Sequence, residues 1–101
     1  KKLDFLVMER YYVYTLYSLK DSKFYTGFTA NLKKRLLEHA RGGVKSTQNR
    51  RPFKLIHYEY FINEDDAKAR EVFLKSGFGR NQLKQALKRT FVLSTMILWS
   101  S

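Results

Sequence analysis

Two runs of strand-forming residues, separated by a few turn-forming residues, set the strongest limit on what this chain can fold into. Residues 11–18 (YYVYTLYS) and 23–29 (KFYTGFT) are rich in the aromatic and β-branched side chains that favour strands. Lys20, Asp21 and Ser22 lie between the runs and supply turn chemistry. The pattern predicts a β-hairpin.

One helix and one further strand are predicted after the hairpin. Apolar residues recur at helical spacing from Leu32 to Ala40, and either Thr29 or Asn31 can cap this helix. A polar, basic loop follows, and residues 53–61 (FKLIHYEYF) then form a third strand-like run.

Two more helices complete the predicted order. Asn63 caps the first of them, which runs to about residue 75, and the second spans about residues 81–89. The order β-β-α-β-α-α predicts an α+β fold, in which helices flank a small three-stranded, largely antiparallel sheet.

The length of 101 residues is enough for one domain, which we expect to span residues 11–90. Residues 1–10 are interpreted as an N-terminal extension, frayed or non-native, and residues 91–101 as an apolar C-terminal tail. The absence of cysteine excludes disulfides and thiolate metal sites. The longest apolar stretch is shorter than a membrane span, so we expect a cytoplasmic protein without a membrane partner.

The charge balance indicates the class of partner. The chain has 20 Lys and Arg residues against 9 Asp and Glu residues, which gives a net charge of +11. Cationic side chains release counterions from phosphates, so a nucleic acid is the expected partner. Solubility alone is the alternative explanation, and a membrane surface is a weaker one because no strongly basic amphipathic helix is evident.

Two tyrosines of the hairpin are candidates for chemistry. If Tyr17 lies opposite Phe24, then Tyr14 lies opposite Gly27, and Tyr14 and Tyr25 project from one face as diagonal neighbours. Gly27 would leave room for a substrate beside Tyr14. Because tyrosine is common in strands, the pair taken alone is better explained as ordinary strand aromatics.

Three helical residues are further candidates. Arg35 and His39 are four residues apart on the first helix and can grip a phosphate together. Glu71, on the second helix, can bind a divalent ion whose other ligands are water and a phosphate oxygen. The alternatives are a solvated helix face and, for Glu71, an ordinary pair with Lys75.

The combination of these residues resembles the GIY-YIG nuclease superfamily. Residues 12–14 (YVY) and 25–27 (YTG) are similar to its two half-motifs, with the tyrosines and the second-half glycine retained. Residues 31–39 are similar to the helix with the family arginine, and residues 69–75 to its metal-binding helix. Residues 46–55 resemble the small stand-alone bacterial members, which are related to the N-terminal nuclease domain of the excision-repair protein UvrC.

The resemblance implies a role for each candidate. Tyr14 and Tyr25 would position the attacking water, and one of them would deprotonate it. Arg35 would hold the scissile phosphate, and His39 would relay a proton or contact phosphate. Glu71 would hold one Mg²⁺ or Mn²⁺ ion. Some members also have an essential asparagine near the third helix; Asn81 is nearby, and its role is left open.

The sequence therefore predicts a metal-dependent DNA endonuclease. The residues expected to contact the DNA backbone lie on the first helix and in the basic loop: Lys33, Lys34, Lys45, Arg50 and Arg51. Because no recognition module is evident, we expect little sequence specificity, or a protein partner that supplies targeting. The alternatives are a nucleic-acid-binding module with this fold but no turnover, and a basic protein-interaction domain that uses the apolar tail.

Overall fold

The fold is described for residues 9–91 by a computed structural model. The predicted α+β class and the order β-β-α-β-α-α are confirmed. The elements are β1 (Tyr11–Ser18), β2 (Phe24–Thr29), α1 (Leu32–Ala40), β3 (Phe53–Phe61), α2 (Glu64–Lys75) and α3 (Gly77–Ala86), with a 3-10 turn at Gln48–Arg50. The interpretations of residues 1–8 and 92–101 lie outside the described residues.

The hairpin has the register that the side-chain pattern predicts. Tyr17 lies opposite Phe24, and Tyr14 lies opposite Gly27. The turn between the strands is closed by Ser18, whose hydroxyl oxygen accepts hydrogen bonds from the Lys20 and Asp21 backbone N–H groups at 3.1 and 3.0 Å. This closure fixes the pairing of β1 with β2 and therefore which side chains share a face.

The sheet has the order β2-β1-β3, and both pairs of strands are antiparallel. The central position of β1 explains why its residues from Val13 to Ser18 are buried. The β1–β3 register shifts between Thr15, which lies opposite His57, and Leu16, which lies opposite Leu55. Such an extra residue locally bends the strand that carries it.

The apolar core lies between one face of the sheet and the two C-terminal helices. Val13 from β1 packs with Ala67 and Leu74 from α2 and with Leu83 from α3, all at most 4% exposed. Phe91, at the end of the described chain, stacks on Phe24, which packs against this cluster. Across residues 9–91 we find no helix with the length and apolar character that crossing a bilayer requires.

Capping side chains define where the helices begin. Asn31 accepts a hydrogen bond from the Lys34 N–H, and Asn63 accepts one from the Asp66 N–H, as the cap pattern predicts. The predicted start of the third helix, at about residue 81, was wrong, because Ser76 caps a helix that already begins at Gly77.

The junction between α2 and α3 explains this early start. The Ser76 hydroxyl accepts a hydrogen bond from the Gly79 N–H at 3.0 Å, which leaves no linker between the helices. A Cβ atom on Gly79 would clash with the Phe73 carbonyl oxygen. Glycine is therefore required for this close approach, although a glycine-rich stretch ordinarily indicates a loop.

We predict that Leu74→Ala lowers the free energy of unfolding by about 2–5 kcal/mol, because Leu74 is 2% exposed and its removal leaves a cavity. Urea denaturation followed by circular dichroism measures the change. Val72→Ala is the matched control on the same helix; Val72 is 70% exposed, so its truncation should change the stability by no more than about 0.5 kcal/mol. Equal losses in the two variants would contradict this description of the core.

Candidate active site

The ring of Tyr14 crosses the neighbouring strand at its glycine. A Cβ atom on Gly27 would lie 2.5 Å from the Tyr14 hydroxyl oxygen and 2.6 Å from the ring carbon that bears it. No larger residue fits there unless Tyr14 moves, so Gly27 fixes where the phenol can lie. The sequence predicted that Gly27 leaves room for a substrate, but the space is filled by Tyr14 itself.

A buried row of hydrogen bonds leads away from the Tyr14 hydroxyl. Its oxygen lies 2.7 Å from His39 Nε2, and His39 Nδ1 lies 2.9 Å from the Thr47 hydroxyl oxygen. The Thr47 hydroxyl donates in turn to the Val44 carbonyl at 3.4 Å. Tyr14, His39 and Thr47 are each at most 2% exposed. The three side chains therefore form a connected polar row buried from bulk solvent, and its Tyr14 end borders the partly exposed Tyr25 and Arg35.

Thr47 is the member of this row that sequence reasoning missed as a site residue. It lies in the basic loop between α1 and β3, just before the 3-10 turn. The sequence signal for Thr47 was only that a hydroxyl side chain occurs in a loop rich in Lys and Arg. Only the folded loop brings its hydroxyl to His39, eight residues away along the chain.

Tyr25 joins the same cluster of rings, as predicted for the diagonal pair. Its ring centroid lies 6.4 Å from that of Tyr14 and 5.2 Å from that of His39. The ring of Phe53 lies 6.3 Å from His39 at the start of β3. Tyr14 is fully buried while Tyr25 is partly exposed, so Tyr25 lies nearer the solvent.

Arg35 lies one helical turn before His39 on α1. Its guanidinium pairs with Glu38 at 3.0 Å and retains 36% exposure. It is also close enough to Tyr14 to favour the ionised phenol. Contact with Glu38 and Tyr14 raises the pKa of Arg35, so the guanidinium keeps its charge beside the buried row.

Glu71 approaches the site from the second helix. It lies four residues after Ala67 and three before Leu74, on the stripe of α2 that packs on the sheet. The predicted pair with Lys75 is present at 3.0 Å, and the carboxylate is 21% exposed. Its charge contributes to raising the pKa of Tyr14, so the two groups are near each other. Asn81 lies exposed on α3.

The surroundings set the protonation states of the row. Burial raises the pKa of Tyr14 to about 12, against the lowering effect of Arg35 and with a small raising effect of Tyr25 and Glu71. Burial and the charge of Arg35 lower the pKa of His39. At neutral pH Tyr14 is therefore a protonated phenol beside a neutral imidazole.

The donor set around Glu71 limits what kind of ion it can hold. Within residues 9–91 no three His, Asp or Glu side chains come together as a metal cluster. A structural site of several protein ligands is therefore absent from this part of the chain. Mg²⁺ commonly keeps several waters and binds through one carboxylate and the phosphate of its substrate, and Glu71 fits that arrangement.

The residues predicted to contact DNA divide into two kinds. Three are exposed and have no ion pair with a described acidic group: Lys33, Lys34 and Lys45. Arg50 instead pairs with Asp21 at 2.6 Å and also donates to backbone carbonyls of the hairpin. Arg51 donates to the Gln48 carbonyl at 2.9 Å but remains an exposed residue.

Comparison with known proteins gives consistent matches over this part of the chain. The family model described as the GIY-YIG catalytic domain matches residues 10–85. A UPF0213 protein of Clostridium perfringens is 44% identical over 77 residues, which cover 75% of this chain and 81% of that protein. A UPF0213 protein of Pediococcus acidilactici is 38% identical, with 84% of this chain and 89% of that protein covered.

A solved structure agrees with these sequence matches. The solution NMR structure of a UPF0213 protein from Bacillus halodurans superposes with a TM-score of 0.50 and 35% sequence identity. The match covers 76% of this chain and 84% of that one. The names of these relatives state no activity. Since the family model spans most of the chain and the relatives align over most of their lengths, this chain belongs to the GIY-YIG nuclease superfamily, together with the small UPF0213 proteins.

Proposed function

We propose that this protein is a metal-dependent endonuclease that hydrolyses phosphodiester bonds in DNA. The observation that carries the proposal is the 2.7 Å hydrogen bond between the Tyr14 hydroxyl and His39 Nε2. It joins a protonated phenol to a neutral imidazole beside a guanidinium and a carboxylate. This arrangement can accept a proton from water and stabilise a charged phosphate.

The direction of the hydrogen bonds follows from counting donors. If the Thr47 hydroxyl donates to the Val44 carbonyl, it must accept the proton of His39 Nδ1. The Nε2 lone pair of His39 then accepts the Tyr14 proton. If His39 Nε2 instead donated to the Tyr14 oxygen, the Tyr14 hydroxyl proton would lose its acceptor and would face the cationic Arg35. Donation from Tyr14 to His39 Nε2 is therefore favoured.

This direction answers a difficulty in using a tyrosine as a base. With a pKa of about 12, only about one Tyr14 in 100,000 is phenolate at pH 7. A preformed phenolate is thus too scarce to act efficiently. We infer that Tyr14 accepts the proton of water while it passes its own proton to His39 Nε2, so that no free phenolate accumulates.

The overall step is then balanced. The water oxygen forms a bond to phosphorus as the bond from phosphorus to the leaving oxygen breaks. One water proton passes to Tyr14 while the phenol proton passes to His39 Nε2, and the leaving oxygen departs with the bonding electron pair and takes a proton from solvent. Arg35 lies beside Tyr14 and can hold a phosphate oxygen through its guanidinium. Tyr25, at the solvent side of the rings, can orient the water.

Glu71 would hold the divalent ion, Mg²⁺ or Mn²⁺. When bound, such an ion neutralises charge that develops on the phosphate and on the leaving oxygen. The protein supplies one carboxylate for it, which leaves the other positions to water and substrate. That sparse ligand set favours an ion that binds together with the DNA.

DNA binding is supported by the net charge of +11 and by the exposed lysines on α1 and in the basic loop. Lys33 and Lys34 belong to the same helix as Arg35. Contacts of this kind position the DNA backbone without reading its sequence. We therefore expect little sequence specificity from this chain, with any targeting supplied by a protein partner.

We predict that Glu71→Gln reduces nicking of supercoiled DNA by at least about a hundredfold in Mg²⁺ or Mn²⁺ while DNA binding is retained, because the amide is a poor metal ligand. Glu64→Gln is the matched control, since Glu64 also pairs with a lysine one turn away on α2. Cleavage by Glu71→Gln at the wild-type rate would remove Glu71 from the mechanism. Failure of the wild type to cut supercoiled, branched or single-stranded DNA would leave a binding module instead.

We predict that Thr47→Val weakens the preference of His39 for carrying its proton on Nδ1, because valine keeps the shape but cannot accept that proton. Long-range ¹H–¹⁵N NMR correlations distinguish the two imidazole tautomers. Thr47→Ser restores the hydroxyl and should restore the wild-type pattern. An Nε2-protonated His39 in the wild type would contradict the proposed direction of the relay.

We predict that the single-turnover cleavage rate falls as the pH drops below 6.5. The pKa of His39 is lowered in the fold, so the imidazole is neutral above pH 6.5. As the pH falls through the lowered pKa, Nε2 becomes protonated and can no longer accept the proton of Tyr14. His39→Gln, measured at the same metal concentration, should have a low rate without this acidic limb. A wild-type rate that rises on acidification would exclude His39 as the acceptor.

A further inference from the structure

Three tyrosines lie side by side on the face of the sheet opposite the apolar core. Tyr12 on β1 lies directly opposite Tyr60 on β3, and Tyr58 is two residues before Tyr60 on the same strand. The ring centroid of Tyr12 lies 5.7 Å from that of Tyr60 and 6.1 Å from that of Tyr58. We call these three residues the tyrosine platform.

Two rings of the platform are open to solvent, and the third, Tyr12, is partly exposed. Tyr58 is 52% exposed and Tyr60 is 43% exposed, whereas Val13, the neighbour of Tyr12 in the chain, is completely buried beneath α2. α2 and α3 cover the other face of the sheet through the apolar core. Large aromatic rings that remain this exposed give up the stabilisation that burial would provide.

The platform is also held in place. The Tyr60 hydroxyl donates to the Glu9 carbonyl at 3.2 Å, and the tilted ring contacts with Tyr12 restrict the rotation of both side chains. Two of the rings are on one strand at alternate positions, which separates them by about 6.6–7 Å along it. A fixed surface of this kind can receive flat ligands with little loss of conformational entropy.

The platform adjoins the candidate active site. Tyr58 lies directly opposite Tyr14 in the β1–β3 register. At the side of Tyr12, a cavity of about 400 Å³ is lined by Arg10 and Lys33 as well as by Tyr12 itself. Tyr12 therefore lies between the proposed catalytic tyrosine and a cationic cleft, with Tyr58 and Tyr60 beside it on β3. The positive charge of the cleft complements a phosphate backbone.

We propose that the tyrosine platform binds unpaired nucleobases of the DNA substrate by stacking, while Arg10 and Lys33 bind the adjoining phosphates. Aromatic side chains beside a cationic groove are the features that bind single strands without reading their sequence. Paired bases are stacked on one another and leave no face free for Tyr58. This inference rests on the proposed function, since it specifies the DNA as having a single-stranded segment next to the scissile phosphate.

The test measures binding without cleavage. Fluorescence anisotropy of labelled single-stranded and duplex oligonucleotides is recorded with the full chain in EDTA at low salt. Tyr58→Leu removes the ring and should weaken single-strand binding by about fivefold or more, while duplex binding stays within about twofold. Tyr58→Phe keeps the ring and should bind as the wild type does. Unchanged single-strand binding by Tyr58→Leu, or equal losses for both DNAs, would overturn the proposal.

Two further measurements keep the outcome interpretable. Circular dichroism establishes that the variants are folded; if Tyr58→Leu is not, Tyr58→Trp, with its larger ring, should bind the single strand at least as tightly as the wild type, and a loss of affinity would overturn stacking. Sedimentation velocity tests for a protein partner: self-association that Tyr58→Leu abolishes, without a change in DNA binding, would identify a protein interface and reject the proposal.

Binding in EDTA and cleavage in Mg²⁺ or Mn²⁺ test the platform and the nuclease separately. Ring-dependent binding of single strands in EDTA, together with no cleavage in Mg²⁺ or Mn²⁺, would support the platform and reject the nuclease. Metal-dependent cleavage with no ring-dependent binding would support the nuclease and reject the platform.

Discussion

The buried hydrogen bond between Tyr14 and His39 is the contact on which the candidate site depends. A phenol that is 1% exposed needs a partner for its hydroxyl, since an unpaired polar group would cost about 1–3 kcal/mol. His39 supplies that partner only because Gly27 lets the ring cross β2. The contact between the phenol and the imidazole therefore requires the glycine at position 27, the β1–β2 register and the position of His39 on α1 together.

Much of this arrangement could be predicted from the sequence because it follows from local rules. Turn residues and alternating side chains fix the hairpin register, and this register determines that Tyr14 lies opposite Gly27. Helical spacing likewise places Arg35 and His39 on one side of α1. These predictions needed no knowledge of how distant elements pack.

The features that were missed depend on long-range packing. Thr47 has no local pattern that connects it with His39, because a loop has no periodicity from which to read its direction. The early start of α3 depends on Gly79 meeting the Phe73 carbonyl, so glycine here permits a tight helix junction. The ion pair between Arg50 and Asp21 could not be predicted either, because the sequence does not show which acid 29 residues away a cation will contact.

Where each charged side chain lies in the fold is therefore more informative about its role than the net charge of +11. Arg50 lowers the pKa of Asp21 to about 2 and joins the basic loop to the hairpin turn, so it stabilises the fold. The same loop contains Thr47, which is thereby held over α1, while Lys45 remains exposed beside it. One arginine of a basic protein can thus be structural and hold the loop that carries Thr47 of the proposed relay.

Burial has opposite consequences for the two partners of the proposed relay, and together they set its starting protonation states, although the wider pKa gap makes the proton transfer itself more uphill. It raises the pKa of Tyr14, which keeps the phenol protonated, and it lowers the pKa of His39, which keeps the imidazole free to accept. The same burial would prevent catalysis if the whole site were enclosed. Arg35 and Tyr25 are only partly covered, so they give the proposed phosphate substrate an approach to the edge of the buried row. In the proposed mechanism the phosphate therefore binds at the partly exposed side chains, and the proton moves within the buried row.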